Sequence, residues 1–166
     1  MRGKNIVLIG MPGAGKSTIG VILAKVLNYS FLDTDLIIQN KTGSLLFEII
    51  ENKGIEHFIE IENSIVSNIK CDNTVIATGG SVVFGADAMQ NLKRNSTIVY
   101  LKLKPEEIER RVNNITTRGV VMRKDDTIYD IYRERAALYE KYSDYIVECD
   151  GFDMEVIVEK IVRIIK

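Results

Sequence analysis

The chain has 166 residues, 46% of them hydrophobic and 27% charged, with two prolines and no Ser/Gly-rich tract, which suits one compact domain of residues 1–166 and excludes extended disorder. Its 22 basic and 23 acidic residues leave a net charge of -1, without the basic excess that binding a nucleic-acid backbone demands. Cys71 and Cys149 are too few for a disulfide scaffold and fit a reducing cytosol, so a cytoplasmic location is expected, and no apolar run approaches the roughly 20 residues of a membrane span.

Short apolar runs alternate with segments of helical spacing along the chain. Residues Asn5 to Ile9, Tyr29 to Leu32, Thr74 to Ala77, Thr97 to Leu103 and Tyr145 to Cys149 read as strands buried on both faces. Lys16 to Leu27, Ser44 to Asn52, Ile55 to Ile69, Pro105 to Val112, Thr127 to Tyr142 and Met154 to Ile164 read as helices. Gly43 before Ser44 marks one helix start, Gly54 the end of that helix, and Pro105 followed by Glu106 and Glu107 another start. Alternation of this kind predicts a five-stranded parallel sheet in a three-layer α/β/α sandwich, with the functional site at the C-terminal edge of the strands.

The first strand runs straight into Gly10-Met11-Pro12-Gly13-Ala14-Gly15-Lys16-Ser17, a G-x-x-x-x-G-K-[ST] loop followed directly by a helix. Glycines let successive N–H groups curl toward phosphate oxygens, and the positive end of the following helix adds to the attraction. Lys16 reaches the terminal phosphates of a nucleotide, and the Ser17 hydroxyl suits Mg2+. The same loop places Gly13, Ala14, Gly15 and Thr18 against the nucleotide.

After the second strand, Asp33-Thr34-Asp35 sets two carboxylates at i and i+2, on one face if the strand stays extended, one near a metal and one able to take a proton from an attacking hydroxyl. The other reading makes this pair the cap of a helix over Leu36 to Asn40. The third strand ends in Thr78-Gly79-Gly80-Ser81, where glycines let a substrate approach the backbone. From Arg110 to Lys124 there are five basic residues and no acidic one, which predicts a mobile lid over phosphates at about 112–125 with Arg118 as its charge stabiliser. Glu62 interrupts an apolar helix face of Ile55, Phe58, Ile65, Val66 and Ile69, so it lies at the edge of the site or meets a basic partner. His57, off that face, reads as a surface residue.

Taken together, the loop Gly10 to Thr18, Asp33-Thr34-Asp35, Lys41-Thr42-Gly43, Gly54, Phe58 and Glu62, Thr78-Gly79-Gly80, Arg118, and Arg135-Ala136-Ala137-Leu138-Tyr139 resemble the shikimate kinase family, small-molecule kinases related to nucleoside monophosphate kinases. The resemblance implies a P-loop kinase fold with a lid, and transfer of the ATP γ-phosphoryl group to the 3-hydroxyl of shikimate with Mg2+. It also implies roles for single residues: Ser17 and Asp33 at the metal, Asp35 at the substrate hydroxyl as proton acceptor, and Gly79 and Gly80 along the ring. Arg135 is implied at the substrate carboxylate, Arg111 beside adenine, and Lys16 and Arg118 at the transferring phosphate.

The sequence departs from the family pattern where isoleucine, Ile59, stands in place of a second carboxylate-binding arginine. Ser81 replaces a third glycine, and Gly119-Val120-Val121 follow the lid arginine. Shikimate leads as acceptor, with a different hydroxylated metabolite, or a nucleotide-binding module without kinase activity, as alternatives. A nucleotide acceptor would need several arginines, and the stretch Leu36 to Ile69 has none. No exposed apolar surface argues for a dimer, so a monomer is expected.

Overall fold

The computed structural model describes residues 4–112 and 120–166. Five strands, β1 (Asn5–Ile9), β2 (Ser30–Asp33), β3 (Thr74–Ala77), β4 (Ser96–Lys102) and β5 (Tyr145–Glu148), form one parallel sheet in the order β2-β3-β1-β4-β5. Eight described helices cover it: α1 (Lys16–Leu27), α2 (Thr34–Thr42), α3 (Leu46–Lys53), α4 (Ile55–Val66), α5 (Ala86–Arg94), α6 (Pro105–Val112), α7 (Ile128–Tyr142) and α8 (Met154–Ile165). The α/β/α sandwich expected from the alternation is the observed fold.

Burial follows strand position. All five residues of β1 are buried at the centre, as are the four of β3, whereas the edge strands β2 and β5 are partly or largely exposed, so the expectation of strands buried on both faces fails at the edges. The connection through α1 steps from β1 toward β2, and the later connections step back toward β5. Right-handed crossovers then put α1 on one face and the other connecting helices on the opposite face, and α8 returns to pack against α1. Strand order reverses at β1, with β3 on one side and β4 on the other, and the crevice beyond such a reversal is where open α/β sheets bind ligands.

A main core of β1, β3 and β4 side chains with Ile19, Leu23, Met89 and Ile157 holds the sandwich. A smaller cluster of Ile38, Leu46, Ile49, Phe58 and Val121 ties α2, α3 and α4 to the chain just past residue 119.

Several helix boundaries differ from expectation, among them the end of α4, at Val66 rather than Ile69. Gly43 does not open the third helix but ends α2 in the left-handed conformation (φ 69°), and α3 begins at Leu46 after the N-cap Leu45, whose N–H donates to Glu48 Oε2 at 2.8 Å. Helix α5 was not expected at all. Its apolar face is only Ala88, Met89 and Leu92, a single helical repeat among polar residues, too little for periodicity to register.

Candidate active site

The loop after β1 is shaped by backbone that only glycine tolerates. Gly10 has φ 148°, and a Cβ there would sit 2.7 Å from the Leu101 carbonyl oxygen. Gly13 and Gly15 are left-handed (φ 79° and 89°), and Gly15 caps α1 with no side chain, so the first N–H groups of that helix remain available to an anion. Lys16 is 7% exposed, and its Nζ donates to the carbonyls of Gly10 at 2.7 Å and Met11 at 2.8 Å. The ammonium is thereby bent back over the loop, facing the place where phosphates would lie.

Asp33 meets this loop from the end of β2. Ser17 Oγ donates to Asp33 Oδ2 at 2.7 Å, and the Asp35 N–H donates to Asp33 Oδ1 at 3.0 Å. Asp33 is therefore the N-cap of α2, and Asp35 lies in its first turn. The picture of both carboxylates along an extended strand is corrected, because an aspartate two residues before a free N–H captures it and starts a helix. Both still serve the cleft, Asp35 by lining it directly and Asp33 through Ser17.

The Ser17–Asp33 pair offers two hard oxygens beside the phosphate loop. No group of three or more His, Cys, Asp or Glu suited to a metal occurs among the described residues. Such a sparse donor set fits Mg2+, which keeps several waters and takes one or two protein oxygens alongside substrate phosphates.

The opposite wall of the cleft comes from the end of β3. Thr78 Oγ1 donates to the Leu8 carbonyl at 2.9 Å, and the Gly79 N–H donates to Oγ1 of the buried Thr34 at 3.2 Å. A Cβ at Gly79 would lie 2.8 Å from both Asp35 Oδ1 and Glu62 Oε1, so glycine here lets two carboxylates converge on one spot. Gly80 is equally tight, with a Cβ 2.8 Å from Pro12 of the phosphate loop, and its carbonyl accepts from the Tyr139 hydroxyl.

Glu62, the carboxylate on the apolar helix face, is 1% exposed and accepts from Ser81 Oγ at 2.6 Å through Oε2, while Oε1 has no hydrogen-bond partner. Its partner is thus a hydroxyl supplied by the residue where the family pattern has a third glycine. Burial pushes the Glu62 carboxyl up to about 7; the Ser81 bond opposes this, the Asp35 charge reinforces it, and Arg135 and Lys16 oppose it.

An acid whose pKa rises on folding binds more protons folded than unfolded, so stability falls as pH climbs from the unfolded value near 4.5 to about 7. Thermal melts across that window should therefore show Glu62→Gln gaining several degrees relative to the unsubstituted chain as pH rises. A pH-independent gap would contradict the assignment.

Arg135 on α7 is 2% exposed. Its Nη2 donates to the Val121 carbonyl, its guanidinium lies 5.3 Å from the centre of the Phe84 ring, and Nε and Nη1 are buried with no hydrogen-bond partner. Two buried charged donors without hydrogen-bond partners, on a residue that borders the cleft, suit an anionic ligand.

The predicted residues Lys16, Ser17, Asp35, Gly79, Gly80 and Arg135 line one cleft, with Gly13 and Gly15 at its phosphate end. Ala14 is buried beneath the loop, and Thr18 is exposed on the first turn of α1. Arg111 lies beside the loop, donating to Glu107 Oε1 at 2.9 Å and to the Gly13 carbonyl at 3.4 Å. Arg118 falls outside the described residues, as does half of the expected lid. His57 is on the surface as expected.

Sequence reasoning did not anticipate Thr34, Leu46 or Val121 as parts of this region. Val121 is the second of two adjacent valines after Gly119, where nothing marks one valine for burial. Ser81 was within reach, because a carboxylate on an apolar face demands a donor and a hydroxyl stood next to the glycine turn.

A glycine loop pinned by its own lysine, a serine and aspartate poised for a metal, and a second carboxylate opposite a buried arginine define a P-loop small-molecule kinase. The shikimate kinase family model matches residues 12–166. A shikimate kinase of Caldanaerobacter subterraneus subsp. tengcongensis is 33% identical over 163 residues, covering 96% of this chain and 95% of its own. One of Clostridium botulinum (strain Alaska E43 / Type E3) is 38% identical over 161 residues, covering 96% of each. Among solved structures, shikimate kinase from Acinetobacter baumannii in complex with shikimate superposes with a TM-score of 0.90 at 30% identity, covering 98% of this chain and 93% of that one. The chain belongs to the shikimate kinase family, whose members are ATP-dependent kinases.

Proposed function

We propose that this chain transfers the γ-phosphoryl group of ATP to the 3-hydroxyl of shikimate, yielding shikimate 3-phosphate and ADP. The observation that carries the reading is the placement of Asp35 and Arg135 in the same cleft as Lys16 and Ser17.

The loop N–H groups and Lys16 hold the β and γ phosphates, and Ser17 and Asp33 are the residues that would hold Mg2+. When bound, that ion neutralises charge on the phosphate oxygens. Arg135 offers its guanidinium to the acceptor carboxylate, and Gly79 and Gly80 let the ring lie against the backbone. With its carboxylate so fixed, the acceptor turns a hydroxyl toward Asp35. The hydroxyl oxygen forms a bond to the γ phosphorus, the bond from that phosphorus to the β-phosphate oxygen breaks, and the hydroxyl proton passes to Asp35. Arg111 stands beside the loop on the nucleotide side, and Arg118 is assigned by resemblance to the transferring phosphate.

The chain acts in this reading as one kinase domain, a cytoplasmic monomer with a small-molecule acceptor and no nucleic-acid partner. No described helix is long and apolar enough to cross a membrane.

A second reading is favoured by Ile59, which gives an apolar surface beside Arg135 where the family pattern has an arginine. It assigns the phosphate to a different hydroxylated metabolite. A coupled ADP-release assay with Mg-ATP separates the two, using shikimate, related cyclic acids, sugars and hydroxy amino acids. Turnover with shikimate well above the ATPase background is expected. Background-level release with shikimate beside clear turnover of another compound would favour the second reading.

A further inference from the structure

Next to the acceptor end of the cleft lies a second cavity of about 160 Å³, lined by Ile55, Ile59, Phe84, Met122, Arg123 and Arg135 among others. Arg135, with its two unpartnered donors, borders both spaces. On the α4 side this cavity is apolar at Ile59. On the facing side stands Arg123, whose side chain is exposed and makes no ion pair among the described residues.

The backbone around Arg123 is held in place. Its N–H donates to Asp126 Oδ2 at 3.2 Å, and two residues earlier the Val121 carbonyl accepts from Arg135 Nη2 while the Val121 side chain is buried against Phe58 and Leu46. Arg123 is therefore carried on a segment physically tied to Arg135.

Three carboxylates, Glu56, Asp126 and Glu134, also border the cavity. Glu56 and Glu134 are exposed, where water screens them, and Asp126 is occupied by the Arg123 N–H. Their field opposes an anion entering from outside. Arg123 and Arg135 are the two cations among the cavity's lining residues.

We infer that Arg123 is the second cationic partner of the acceptor's carboxylate and a specificity-determining residue of this kinase, taking on from the end of the expected lid the charge that Ile59 does not provide. The inference rests on the proposed acceptor. It makes recognition of the acid depend on the segment that ends the lid.

The test compares Arg123→Gln with the unsubstituted chain on shikimate and on its carboxamide analogue, in which the carboxylate is neutral. The expected result is a shikimate KM raised about tenfold or more, with kcat and the ATP KM nearly unchanged and the carboxamide KM unmoved. Adding Ile59→Arg to the Arg123→Gln chain should bring the shikimate KM back down, which a merely structural role for Arg123 would not produce. Shikimate turnover with an unmoved KM in Arg123→Gln, or an equal loss on acid and carboxamide, would overturn the inference alone. Absence of shikimate turnover by the unsubstituted chain would overturn the proposed acceptor and this inference with it.

Discussion

Replacing Asp35 with Asn is expected to lower turnover by roughly 10²–10⁴-fold, the usual contribution of a positioned general base. The substitution preserves shape in a tight place, since Asp35 Oδ1 faces Gly79 across a gap that a single methyl group would fill. What it removes is the negative oxygen that takes the hydroxyl proton. Nucleotide binding depends on the loop, Lys16 and Ser17, so the ATP KM should stay within a few-fold. The Asp35 N–H that caps onto Asp33 is unaffected by the change, and α2 should start where it does now. Steady-state kinetics with a thermal melt as control decide the point. Turnover within a few-fold of the unsubstituted chain would mean that Asp35 handles no proton.

Lys16→Met should cost at least as much, roughly 10²–10³-fold or more in kcat, the scale seen when one preorganised stabiliser of transition-state charge is removed. Lys16 is nearly buried, and its Nζ is held by two carbonyls of its own loop, so its charge is in position before any nucleotide arrives. Methionine fills the same volume without the charge and leaves the Gly10 and Met11 carbonyls without that donor, so some stability should be lost as well. Lys16→Arg should rescue little, because a planar fork does not reproduce a point charge held between two carbonyls. Single-turnover measurements at saturating ATP separate lost chemistry from lost binding. Full activity in Lys16→Met would remove the loop from the mechanism.

Much of this arrangement was legible in the sequence because its signals are local. The phosphate loop is a contiguous motif between a strand and a helix, and helix α1 has the expected limits because the loop ends where periodicity begins. Gly54 ends one helix and opens the next with φ 86°, a conformation that glycine adopts without strain.

What the sequence hid was set by distance along the chain. Helix α5 shows only one apolar repeat, and its burial comes from packing against β4 and α4, which periodicity cannot weigh. The extended reading of Asp33-Thr34-Asp35 failed because one side-chain hydrogen bond, from the Asp35 N–H to Asp33, outweighs strand continuation once β2 leaves the sheet. The Ser81–Glu62 bond joins residues 19 apart, and the Arg135–Val121 bond residues 14 apart. Each partner alone looked anomalous or ordinary. Only the fold makes them pairs.

The γ-phosphoryl group of ATP is expected to reach the 3-hydroxyl of shikimate under Asp35. Phosphorus NMR of the reaction with Mg-ATP and shikimate tests it directly, since the new ester couples to the proton on the carbon that carries it. One phosphomonoester coupled to the proton on carbon 3, formed in step with ADP and absent on the same timescale with Asp35→Asn, is the expected result. Inorganic phosphate alone, or an ester on another carbon, would contradict it.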